Sequence, residues 1–207
     1  MMTTWLKWSP TAHQAAIAGK VVDAETQRPV AGVAVAITAM PPSFQEWLSL
    51  QAIARGGGWD ALIERPDRTV TAVDGCFRFV DLPNGDYTLS FRDPRGGRHH
   101  GSTQRSVTVI RGADGLVPLN VQLVSLPPTA VRGLLTSSAS AAPLPMARVR
   151  VRGSGEIAYG DASGRFYLTG VEPGQRTLDI TAIGYPPSTT VAAVVEGQIT
   201  DVGSIEL

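Results

Sequence analysis

Apolar positions in this chain fall on short alternating runs broken by Gly and Pro, the pattern of strands joined by turns. Residues 76–80 alternate, with Phe77 and Phe79 on one face and Cys76 and Arg78 on the other. Leu82 leads into Pro83-Asn84-Gly85-Asp86, a tight turn in which Asn84 and Gly85 can take positive φ, and residues 87–91 return as the next strand. Residues 17–22 and 33–39 form an earlier pair across a turn containing Pro29 and Gly32. Residues 107–110 and 119–123 supply the closing strands. This rhythm predicts an all-β chain of antiparallel sandwich type.

The pattern occurs twice. Residues 71–91 lie over residues 160–180 without a gap at a shift of 89, which sets Gly75 on Gly164, Phe77 on Phe166 and Leu89 on Leu178. Upstream the shift is 114, placing Gly19 on Gly133, Pro29 on Pro143 and Val35 on Val149; downstream it is 84, placing Val107 on Val191 and Leu123 on Leu207. The change from 114 to 89 marks an insertion of 25 residues in the first copy, and the change from 89 to 84 puts five extra residues in its loop after Phe91. The expected organisation is an N-terminal arm over 1–16, a first sandwich over 17–124 with an insertion at 40–66, a Pro-rich linker at 125–130 and a second sandwich over 131–207. Pro127 and Pro128 favour a short, stiff connector.

Charge narrows the classes of partner. Eighteen basic side chains balance eighteen acidic ones, which gives no bulk attraction to nucleic acid or anionic lipid. A single cysteine, Cys76, makes no internal disulfide, as fits a reducing compartment or a surface that needs no bridge. The first residues have no signal-peptide core, and no apolar run is long enough to span a bilayer, so the expectation is a soluble cytoplasmic chain, or one exported without a classical signal.

The run Gly-Lys-Val-Val-Asp-Ala-Glu-Thr-Gln-Arg-Pro-Val-Ala-Gly-Val-Ala-Val from Gly19, followed by Thr71-x-x-Asp-Gly-x-Phe-x-Phe-x-Asp-Leu-Pro-x-Gly-x-Tyr-Thr-Leu, resembles the carboxypeptidase regulatory-like domain. The resemblance implies a seven-stranded sandwich of transthyretin-like type in each copy, without catalysis or zinc, serving as a spacer or interaction module. The second copy departs from the motif: Ser163 stands where Asp is expected, and Glu172-Pro173 shifts the turn proline by one. The longer run from Arg65 to Leu89 is also similar to accessory proteins encoded with phage-tail-like contractile injection particles.

The insertion is the one part that the sandwich does not require. Ser43 and Glu46 fit a capping box, with Phe44, Trp47, Leu48, Gln51 and Ala52 on one helical face. Three glycines follow, and Asp60 is placed to cap a short second turn carrying Leu62 and Ile63, ended by Pro66. Either this hairpin covers an open edge or end of its own sandwich, or Phe44, Trp47, Leu48, Trp59 and Leu62 anchor a partner protein. Trp5, Leu6 and Trp8 in the arm form a second candidate contact, packing back on the body or docking elsewhere.

Enzymatic readings fail on the residues. His13, His99 and His100 lack metal-ligand spacing, so no metal or cofactor is expected. Purine-pathway hydrolases of transthyretin-like fold end in Tyr-Arg-Gly-Ser, whereas Gly203-Ser204-Ile205-Glu206-Leu207 closes this chain. Cys76 on a strand has no nucleophile context. An isopeptide bond between Lys20 and Asn120, as in related adhesin repeats, conflicts with alternation, which turns Lys20 to solvent. The expected function is a non-catalytic structural or adaptor protein in a larger assembly. A carbohydrate or cell-surface binding module and an accessory to a separate enzyme are the alternatives.

Overall fold

Residues 13–94, 99–112 and 119–207 are described by the structure, a computed structural model. Trp5, Leu6 and Trp8 of the arm, with Arg95 and Arg98, lie outside the described residues. The first copy contains β1 (Ala15–Asp23), β2 (Ala34–Ala39), α1 (Pro42–Arg55), α2 (Gly58–Ala61), β3 (Arg68–Val70), β4 (Cys76–Val80), β5 (Gly85–Arg92), β6 (Thr103–Val109) and β7 (Asn120–Leu126). The second contains β8 (Ala130–Thr136), β9 (Arg148–Val151), β10 (Ile157–Tyr159), β11 (Arg165–Thr169), β12 (Gly174–Thr181), β13 (Ser188–Val194) and β14 (Ile199–Glu206). Each copy packs a sheet of three strands, β4-β1-β7 or β11-β8-β14, on a sheet of four, β3-β2-β5-β6 or β10-β9-β12-β13. Two transthyretin-like sandwiches result. The antiparallel expectation is corrected at one pair in each copy: β1 runs parallel to β7, and β8 to β14. First and last strands share no hairpin, so no tight turn dictates their direction.

Register repeats between the copies with the same close contacts. Gly19 pairs with Phe77 and Gly133 with Phe166. A Cβ on Gly19 would sit 2.3 Å from the Gln122 carbonyl oxygen and 2.7 Å from the Phe77 ring, and one on Gly133 would sit 2.7 Å from the Phe166 ring. Phenylalanine fills the space that glycine leaves, which is why the pair recurs. The turn before β11 shows how the motif survives its missing Asp. In the first copy the Cys76 N–H donates to Asp74 Oδ1. The equivalent Arg165 N–H donates to Asp161, a carboxylate two residues earlier that also accepts from the Ser163 N–H and hydroxyl. Ser163 thus gives up the acceptor role, and Asp161, which aligns with Ala72, takes it.

The downstream alignment needs correction. Pairing with β5 and β12 makes Val107 the equivalent of Ala192, a shift of 85, and pairing with β1 and β8 makes Val124 the equivalent of Ile205, a shift of 81. At 84, buried Val107 would meet exposed Val191, and exposed Leu123 would meet buried Leu207. Strand side chains alternate faces, so a one-residue slip exchanges core for solvent. The first copy therefore carries four extra residues between β5 and β6 and five between β6 and β7, of which the bulge in β14 returns one, in place of five after Phe91. The closing strand also lies further along than the run 119–123: Val124 and Leu126 fill the core while Val121 and Leu123 face out.

Because β7 reaches Leu126 and β8 starts at Ala130, the connector shrinks from 125–130 to Pro127, Pro128 and Thr129. It is pinned from both sides. The Gly101 N–H donates to the Pro127 carbonyl and the Thr129 N–H to the His99 carbonyl, while the Gly197 N–H donates to Thr129 Oγ1, each at 2.8 Å. Thr129 is fully buried, and the His99 ring lies against Gly170 of the second sandwich.

Candidate protein-binding surface

The insertion forms its helix from a different start than the expected capping box. Pro42 occupies the first turn, Pro41 is the N-cap, and no side chain caps the helix, so Ser43 and Glu46 play no capping part. Proline is suited to that first turn because its missing N–H has no partner there anyway. Gly56 ends α1 at φ 58°, its N–H bonding the Ala52 carbonyl. Asp60 lies inside α2, whose N-cap is Gly57, and Leu62 is its C-cap.

The inner face of this hairpin is consumed by the core of the first sandwich. Phe44, Leu48 and Trp59 are buried in it, and Met40, Ala52 and Leu62 pack against it. Phe44 meets the edge of Tyr87 at 6.0 Å, and the Tyr87 hydroxyl donates to the Pro83 carbonyl at 2.8 Å. Burial pushes the Tyr87 phenol up to about 12. Trp59 lies under the guanidinium of Arg65, 4.8 Å from the ring centroid. Arg65 is itself forked onto Asp67 at 2.9 and 2.6 Å, a hydrogen bond that raises its pKa further. Phe44, Leu48 and Trp59 are thus corrected as partner anchors, because their side chains are already spent on the sandwich interior; half-buried Leu62 goes the same way.

The outer face remains. Trp47 is 42% exposed, Leu50 64% and Ile53 79%, successive positions three apart on one side of α1. Trp47 stacks on Phe44 at 5.7 Å with planes 12° apart, so its ring is held in place before any partner arrives. Sequence reasoning singled out Trp47 but missed Leu50 and Ile53, because it assigned the helix a single apolar face. Their spacing from Trp47 is the signal that would have found them.

Other singled-out residues have local jobs. His13 bonds Asp81. His100 lies between two carboxylates, with Nε2 2.9 Å from Asp23 Oδ2 and Nδ1 3.5 Å from Asp93 Oδ2, beside the connector. Among the described residues no group of three His, Cys, Asp or Glu is placed to hold a metal, and no helix is long and apolar enough to cross a membrane. Cys76 is exposed, and its hydrogen bond with Asp74 raises its pKa. Lys20 pairs with Leu123, whereas Asn120 pairs with Ile17, which sets the two isopeptide candidates three residues out of register.

The outer faces of the two three-stranded sheets differ sharply. In the second copy Arg132 lies opposite Asp201 and bonds it at 3.0 Å. The same positions in the first copy hold Ala18 and Val121. Lys20 lies opposite Leu123 where the second copy has Leu134 opposite Ser204, and Arg78 of β4 stands where Tyr167 stands in β11.

The carboxypeptidase regulatory-like domain matches residues 16–124 and again residues 130–207. The chain belongs to this family. No curated protein sequence matches it. Among solved structures it is similar to a Streptococcal ancillary pilin, at 15% identity and a TM-score of 0.39, covering 94% of this chain and 62% of that one. The chain thus spans about three fifths of the ancillary pilin's length. It is also similar to the shaft pilin SpaA of Lactobacillus rhamnosus GG, at 14% identity and a TM-score of 0.42 over 93% and 98% of the two chains. A minor pilin of Streptococcus agalactiae gives 12% identity and a TM-score of 0.34 over 92% and 94%. The α1–α2 hairpin is built on the first regulatory-like domain alone; in the second, β9 and β10 follow one another after a short turn.

Proposed function

We propose that this tandem regulatory-like protein is a non-catalytic structural or adaptor component that holds partner proteins in a larger assembly. The observation that carries the reading is the row Trp47, Leu50 and Ile53, apolar and exposed on a helix whose other side seals its own domain. A pre-positioned indole is the kind of side chain on which interface binding energy concentrates, and the two aliphatics extend its apolar row. A glycan platform built on paired tryptophans loses Trp59 to the core, which favours protein over carbohydrate as the partner. The assembly we propose is a phage-tail-like contractile particle, built in the cytoplasm and released with it. Its support is the run from Arg65 to Leu89, similar to accessory proteins of such particles.

Native sedimentation of lysate from the source cells tests both levels. Co-migration with tube or sheath proteins in a fast fraction, lost in a Trp47→Ala, Ile53→Asp double variant that still folds, is the expected result. Migration of the wild type as a free small species would overturn the particle reading. Retention of the double variant in the fast fraction would overturn the role of α1.

A further inference from the structure

The outer face of the β4-β1-β7 sheet carries a second, chemically distinct contact. The repeat supplies the comparison: two sandwiches of one fold expose the same strand positions, and one face is neutralised internally while the other is not. In the second sandwich Arg132 and Asp201 satisfy each other. In the first, Val121 is 69% exposed and Leu123 65% exposed, with Val80 on the same face across β1. Lys20 and Arg78 project from that face, and among the described residues neither is held in an ion pair. Asp74 lies near enough to Lys20 to feel its charge: its pKa is lowered chiefly by the Cys76 N–H, with Lys20 adding a smaller share. Among the described residues, the groove that this face lines carries four cationic side chains, Lys20, Arg65, Arg68 and Arg78, against three carboxylates, Glu64, Asp74 and Asp81. Asp81 is bonded by His13 and Arg65 by Asp67, so the cations left to a ligand on this face are Lys20 and Arg78.

This face opens into a groove of about 1660 Å³ that runs past β3 and β4 to Trp47. Sites for drug-sized ligands span about 300–1,000 Å³, so the volume suits a polypeptide segment better than a small molecule. The geometry points to an acidic, apolar segment of a partner protein as the occupant, its aliphatic side chains on Val80, Val121 and Leu123 and its carboxylates on Lys20 and Arg78. A two-fold contact between copies centred on Lys20 and Arg78 would set these cations against one another, which disfavours self-association in that arrangement. Residues 1–12, Met-Met-Thr-Thr-Trp-Leu-Lys-Trp-Ser-Pro-Thr-Ala, contain no carboxylate and so lack the complementary charge. The inference deepens the adaptor reading and rests on it, but on different residues from those of α1.

The test uses the full chain and a fluorescently labelled peptide of about eight alternating Val and Glu residues, long enough to cross the sheet. A Val and Lys peptide of the same length is the control. Anisotropy should show saturable binding of the acidic peptide only, weakened by added salt. Binding should weaken about tenfold in Lys20→Glu, Arg78→Glu, as expected for two rim pairs reversed in sign, and be lost in Leu123→Asp. Leu123 is exposed, so that variant is expected to fold, and an unchanged urea unfolding midpoint followed by tryptophan emission checks it. Equal binding of both peptides, or indifference to the charge reversal, overturns the proposal. Sedimentation equilibrium showing a wild-type dimer that Leu123→Asp dissolves also overturns it, in favour of self-association. Failure here with particle co-migration intact removes the sheet contact alone; loss of co-migration removes the assembly reading instead.

Discussion

Truncating Phe44 to alanine measures whether α1 is part of the first domain or a detachable attachment. Phe44 is 5% exposed, lies edge-on to Tyr87 and carries Trp47 on its face. Removing a buried phenylalanine costs about 3–5 kcal/mol, and the two ring contacts account for about 0.5–1.5 kcal/mol each within it. The position lies at the end of the core, where α1 can settle inward, so the lower figure of about 3 kcal/mol applies. With a urea slope of about 2 kcal/mol per molar, the midpoint should fall by about 1.5 M. The assay isolates the right domain: the four tryptophans are Trp5, Trp8, Trp47 and Trp59, and residues 130–207 contain none. Trp47 and Trp59 are carried by the first sandwich, so an emission change tracks that domain and not the second, while far-UV circular dichroism follows both. Leu50→Ala, on the exposed side, should stay within about 0.5 kcal/mol. A Phe44→Ala shift below about 0.5 M at unchanged slope would refute the account, since α1 would then not be sealing the core.

Three further outcomes follow from the geometry. Gly133→Ala places a methyl 2.7 Å from the Phe166 ring and should destabilise the second sandwich by at least about 1–3 kcal/mol, read as loss of its share of the circular dichroism transition with emission unmoved. Asp161 has its pKa lowered first by the Ser163 hydroxyl and then by the Arg165 N–H. Its stabilisation is accordingly full above the ordinary carboxylate range near about 4 and is lost as pH falls through the lower folded value. Asp161→Asn should lower the urea midpoint of the second sandwich at pH 7, with the difference from wild type shrinking towards pH 2; a constant difference would contradict the assignment. Cys76 should react slowly with a disulfide reagent at neutral pH despite its exposure, because its bond with Asp74 raises the thiol pKa; the rate should climb with pH and increase in Asp74→Asn.

The sequence revealed most where contacts repeat unchanged. The ungapped shift of 89 spans β4, the turn and β5, and the structure keeps Phe77 with Phe166 and Leu89 with Leu178 at equivalent buried positions. Beyond Phe91 the match of Val to Val and Leu to Leu misled, because identity says nothing about face and an exposed valine looks like a buried one. The three-residue strands β3 and β10 were not read at all, being too short to display alternation. On α1 the burial of Phe44 and Leu48 was legible as one side of a helix. The outward side was not, because Leu50 and Ile53 make the helix apolar around much of its circumference and periodicity alone cannot orient it. The sheet face was invisible for a different reason: its character depends on cross-strand neighbours roughly a hundred residues apart, such as Ala18 and Val121.

The equivalent residues Tyr87 and Arg176 show how the hairpin and its host are matched. Where the first domain has Tyr87 bonding the Pro83 carbonyl beneath Phe44, the second has Arg176, whose Nε bonds the Glu172 carbonyl at 3.0 Å and whose NH2 group reaches the Glu172 carboxylate and the Pro173 carbonyl. Each side chain tethers the equivalent backbone oxygen, one buried under a roof and one only partly buried. The two domains are consequently not interchangeable modules. Transplanting α1 and α2 onto the second would bury a guanidinium beneath an aromatic lid unless Arg176 became Tyr, and stripping them from the first would leave a phenol facing solvent where an arginine belongs. The lid is matched to a single residue, and the pair must travel together in any redesign.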